Sequence, residues 1–89
     1  MNTNLDDDMD APALLGFWKK YHRPTRADIV ALFGSSGKGK VIAAKDLANY
    51  ASNKATAIQC RERGDIRTAQ MYEGICERIY SGLPDFARW

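Results

Sequence analysis

Histidine occurs once in this 89-residue chain, cysteine twice and proline three times. A structural zinc site takes four ligands at tight spacing, which His22, Cys60 and Cys76 do not supply. Neither a metal nor a cofactor is expected. No nucleophile–base pair can be read either, because His22 stands beside Arg23-Pro24 at a break, where a surface or capping role accounts for it. No apolar run approaches the roughly 20 residues that cross a bilayer. The opening residues carry Asp6, Asp7, Asp8 and Asp10 and no base, whereas a secretory leader places basic residues ahead of an apolar stretch. A cytoplasmic location is the expectation. No segment repeats, which argues against a solenoid.

What is present is a chain of ordinary globular composition, 45% hydrophobic, sized for one domain with a modest core. Its clearest signal lies between residues 46 and 83. An alanine-rich stretch, 46–63, meets a second, 66–81, across Gly64-Asp65. Glycine past a helix end enters the left-handed region without a Cβ penalty, and aspartate caps the free amides of a following first turn. The spacing predicts an antiparallel helical hairpin. In the second arm Ile66, Ala69, Tyr72, Cys76, Ile79 and Leu83 share one face, widened by Met71 and Ile75. In the first arm Leu47, Ala51, Ala55 and Ile58 form a narrower stripe. Small residues opposite large ones allow a close helix approach, to which Gly74 is expected to contribute. Pro84 ends the hairpin. In this register Cys60 and Cys76 differ in height by about 10 Å, beyond the roughly 7 Å that a disulfide spans. Both are expected as reduced core thiols.

Ahead of the hairpin, Asp10 caps a predicted helix over 11–21 with Leu14, Phe17, Trp18 and Tyr21 on one face. His22-Arg23-Pro24 breaks it. Thr25 and Asp28 resemble a capping box for a helix over 26–33 that would bury Ile29, Val30, Leu32 and Phe33. The long helix starts near Val41. Phe86 and Trp89 should fold back, since they would otherwise be exposed on a short tail. The expectation is an all-α, single-domain bundle of about four helices over 10–89, behind a flexible acidic tail over 1–9.

Gly34-Ser35-Ser36-Gly37-Lys38-Gly39-Lys40 fits the phosphate-cradling pattern G-x-x-x-x-G-K and follows the apolar run Ile29-Val30-Ala31-Leu32-Phe33. Position 41, however, is Val where Ser or Thr would hold magnesium. The run begins behind a Thr25 cap, and no other segment reads as a parallel strand. A connector between helices is the better reading, with nucleotide binding as the remote alternative.

Beyond the first ten residues the chain carries all 13 lysines and arginines against seven of its 11 acids, a surplus of six. Lys19, Lys20, Arg23 and Arg26 cluster at the first break, and Lys38, Lys40 and Lys45 around the glycine loop. A basic body with a competing acidic tail is one form of nucleic-acid binder. Yet the 34–40 connection is longer than a helix-turn-helix turn, and no polar recognition helix stands out. Arg61, Glu62, Arg63, Arg67, Glu73, Glu77 and Arg78 alternate in sign as a solvated, ion-paired face does.

The segment Cys60-Arg61-Glu62-Arg63-Gly64-Asp65, continued by Met71-Tyr72-Glu73-Gly74-Ile75-Cys76-Glu77-Arg78-Ile79-Tyr80 and by Leu83-Pro84-Asp85-Phe86-Ala87-Arg88-Trp89, resembles the C-terminal half of small helical proteins encoded by bacteriophages and prophages. The resemblance covers roughly the last third of the chain. It implies an origin and a role in binding a host or phage macromolecule rather than in catalysis. The expected function is that of a non-enzymatic accessory or adaptor protein, probing its partner with aromatics that the core does not absorb. Trp18, Tyr21, Tyr50 and Trp89 are the candidates. Nucleic-acid binding through the seven named bases is the alternative.

Overall fold

The computed structural model describes Leu5 and residues 8–89. Residues 1–4 lie outside it, as do Asp6 and Asp7 and with them most of the expected acidic tail. Four α-helices and one 3-10 turn follow in order: α1 (Ala11–Tyr21), α2 (Arg26–Phe33), α3 (Lys40–Glu62), α4 (Ile66–Gly82) and the turn Asp85–Ala87. No strand occurs among the described residues, and the chain is an all-α bundle.

Three of the helices start on a side-chain cap. Asp10 accepts from the Ala13 amide at 2.9 Å, and Asp65 from the Thr68 amide at 3.3 Å. Thr25 and Asp28 form a reciprocal capping box, with Thr25 Oγ1 accepting from the Asp28 amide and Asp28 Oδ2 from the Thr25 amide. The fourth, α3, has no such cap and begins behind Gly39 at φ 84°. Between α3 and α4 the chain reverses at Gly64, φ 79°, where the Asp65 amide donates to the Cys60 carbonyl at 2.9 Å. The first hairpin arm expected over 46–63 is the larger part of this one 23-residue helix, which is about 34 Å long.

α3 is the central element, with α1 and α4 packed extensively against it and α2 less so. Its inner face is built almost wholly of alanine: Ala43, Ala44, Ala48, Ala51 and Ala55 join Leu47 in the core. Apart from Leu47 and Tyr50 of α3 itself, the larger residues come from elsewhere in the chain, among them Leu14, Tyr21, Ile29, Leu32 and Leu83. Leu5 is 0% exposed in the same core and Met9 packs on its margin, so the globular unit reaches ahead of the boundary expected at residue 10.

Several expectations about burial and close approach need correction. Ile66 is exposed because it opens α4 at the hairpin tip, beyond the last residue of α3. Met71 is 56% exposed, since two residues of α-helix carry it about 200° round from the buried Ala69. Val30 is exposed as well, on the outer side of the eight-residue α2, and Phe33, Ile58 and Ile79 are only partly buried. At Gly74 a Cβ would meet nothing nearer than Arg78 Nη1 at 3.9 Å, so the glycine is not there to admit a neighbouring backbone.

Candidate functional site

A cleft of about 620 Å³ lies between α3 and α4 and is bounded at one end by the C-terminal segment. Tyr50 and Lys54 reach it from successive turns of α3. Glu73, Glu77 and Ser81, and likewise Cys76 and Tyr80, reach it at four-residue spacing along α4. Trp89 completes the wall. Its position follows from the chain's exit out of α4: Leu83 is buried, the 3-10 turn reverses direction, and Arg88 Nη2 donates to the Ser81 carbonyl at 3.1 Å. Tyr80 Oη then donates to the Trp89 main-chain oxygen at 2.7 Å. The indole meets Tyr50 and Tyr80 edge to face, at centroid distances of 4.9 and 4.8 Å, a favoured aromatic geometry.

The charge around these rings is already ordered. Arg61 holds Glu73 with two donors, Nη2 to Oε1 at 2.7 Å and Nε to Oε2, which ties α3 to α4. Those hydrogen bonds hold the Glu73 carboxyl below the usual carboxylate value. At the base of the cleft, burial pushes the Cys76 thiol up to about 11. Its Sγ donates weakly to the Tyr50 carbonyl at 3.7 Å. Cys76 is thus a protonated thiol at neutral pH, not the thiolate that nucleophilic chemistry uses. Both cysteines are buried and free. No cluster of three or more His, Cys, Asp or Glu side chains suited to a metal occurs among the described residues.

Of the four aromatics singled out by sequence, Tyr50 and Trp89 come together here and the other two do not. Tyr21 is 9% exposed and lies 4.6 Å from the Phe17 ring; Trp18 is partly buried and stacks on His22 at 4.4 Å. The core takes in Tyr21, because a helix lined with alanine leaves room for a ring opposite it, and Tyr50, 8% exposed, lies on α3 itself with its ring against Trp89. Tyr80 was not singled out. Its signal was its four-residue spacing from Cys76 and its proximity to the aromatic tail.

A second groove, about 520 Å³, is lined by His22, Arg23, Pro24, Val41, Lys45 and Asn49. It gathers two of the seven bases considered for nucleic acid, Arg23 and Lys45. Lys19, Lys20, Arg26 and Lys38 are exposed and do not line it; Lys20 Nζ lies 5.3 Å over the Tyr21 ring. Lys40 is turned elsewhere, its Nζ donating to Ser35 Oγ and lying 5.2 Å over the Phe86 ring. Five residues along α3 separate it from Lys45 by about 140° of rotation. The 34–40 connection itself follows a helix, α2, so the strand that precedes a phosphate-cradling loop is missing. The chain gives no significant match to any protein-family model, to the curated proteins or to the solved structures.

Proposed function

We propose that this chain is a small, non-enzymatic binding module of the accessory or adaptor kind, and that it grips a protein partner at the Tyr50–Tyr80–Trp89 cleft. The observation that carries this reading is the set of three rings held edge to face at a cleft mouth, with Lys54 and Glu77 at its border. Rigid aromatics bring large contact area at little entropic cost, and they concentrate at the energetic centres of interfaces. In this reading the buried, protonated Cys76 forms part of the floor and takes no chemical role. A host or phage protein in the cytoplasm is the partner proposed, on the strength of the C-terminal resemblance. No helix among the described residues is long and apolar enough to cross a membrane.

The test is affinity capture with wild type, Trp89→Ala and Lys38→Ala, each first checked for an unchanged circular dichroism spectrum. A partner held by wild type and Lys38→Ala but lost with Trp89→Ala supports the cleft. Equal capture by all three would refute it. Tyr50→Ala is the poorer probe, because Tyr50 is also part of the core.

A further inference from the structure

The second groove is separate from the aromatic cleft and shares no residue with it. Its lining contains an imidazole, a guanidinium, an ammonium and the Asn49 amide, and no carboxylate. Such a set is complementary to an oxyanion: the guanidinium offers a planar fork, the ammonium a point charge, and the amide a neutral donor. Two elements must meet to build it, the break after α1 and the first half of α3. Arg23 and Lys45 are 22 residues apart in sequence, so the arrangement depends on the fold and not on a local run of bases.

One feature of α1 would ordinarily oppose an anion here, since its C-terminal carbonyls lie next to the groove. His22 covers them. Its amide donates to the Trp18 carbonyl at 2.9 Å, and its ring Nδ1 lies 2.9 Å from the same oxygen and 3.1 Å from the Lys19 carbonyl. Carbonyl oxygens only accept, so Nδ1 carries a proton and donates to them. The ring is stacked on Trp18, which fixes its plane. The nearest acid in sequence, Asp46, follows Lys45 on α3 without lining the groove, and Asp28, five residues after Arg23, is committed to the Thr25 amide and does not line it either.

We infer that this groove binds a phosphate group, held by Arg23 and Lys45 with Asn49 as an additional donor and His22 as the shield over the end of α1. The volume of about 520 Å³ admits a phosphate together with an attached sugar. The phosphate comes either from a small molecule or from the backbone of a single-stranded nucleic acid, and the two sources are separable.

The experiment uses the full chain in phosphate-free buffer. Inorganic phosphate is titrated while amide and indole NMR signals are followed. In parallel, an oligonucleotide of about 12 residues, within the site sizes of single-strand binders, is titrated at several salt concentrations. Wild type is compared with Arg23→Ala, Lys45→Ala and, as an equal charge change elsewhere, Lys38→Ala; all three positions are exposed, so the fold is retained. Saturating shifts at Arg23, Lys45, Asn49 and the Trp18 indole with phosphate alone, lost in Lys45→Ala, support the site with a small phosphate as occupant. Failure of phosphate to saturate, with oligonucleotide binding whose log K–log salt slope falls by about 0.7 in Lys45→Ala and not in Lys38→Ala, supports it with a nucleic-acid backbone as occupant. The inference is overturned if neither probe binds, or if Lys38→Ala loses as much as Lys45→Ala. None of these readings depends on whether the aromatic cleft holds a protein.

Discussion

Cys76 combines near-complete burial with a titratable proton, and the consequence can be read against pH. An ordinary thiol titrates near 9.0, and burial raises this one to about 11, so the folded state keeps a proton that the unfolded chain releases. The contribution to stability is complete below pH 9 and disappears as pH rises through 11. It amounts to something on the order of 2 kcal/mol. Chemical denaturation between pH 8 and 11 should show a fall in midpoint that is shallower in Cys76→Ala. A parallel fall in both proteins would mean that the thiol is not desolvated. At this scale the sequence was legible where periodicity decides, as at Leu14, Leu47 and Ala69, all fully buried. It was misleading for Tyr21, which the core takes in, because how much ring a core can take depends on the small residues opposite, which composition alone does not locate.

Among the elements, local chemistry was the better guide. Asp10, the Thr25–Asp28 box and the Gly64-Asp65 reversal fix three helix starts through hydrogen bonds within three residues, and such interactions can be read from a string of letters. Gly74 could not be read in that way, since its role turns on what faces it. With only a flexible arginine tip at 3.9 Å, a methyl group fits there inside α4. Gly74→Ala should therefore stabilise the protein, by up to about 1 kcal/mol, through removal of backbone freedom from the unfolded chain. Gly64→Ala has equal space but a φ of 79°, and it should instead destabilise by about 1–2 kcal/mol. Opposite shifts in thermal midpoint for the two variants check both assignments. Two shifts of the same sign would contradict the hairpin geometry.

The whole molecule depends on α3. Leu47 is fully buried near its centre, and Leu47→Ala should cost about 2–5 kcal/mol, whereas the half-buried Ile79 should cost clearly less when truncated to alanine. Urea denaturation of the pair would expose an error in the core if Ile79→Ala proved the more damaging. The burial of Leu5 also bears on any test of the acidic leader: deleting the first eight residues removes a core side chain along with the charges. Charge-neutral Asp→Asn replacement is the cleaner variant. That Leu5 and the second groove went unread in the sequence has one cause, contact between segments far apart in the chain. The central position of α3 has a further effect. α1 and α4 each pack on α3 and scarcely on one another. Either can peel away while the other keeps its partner, but α3 loses its cover only when both have gone. In deuterated water the amides of α3 should therefore exchange last and at the rate of global unfolding, with those of α1 and α4 escaping earlier through separate partial openings. The molecule behaves as two weakly correlated halves that share a single spine.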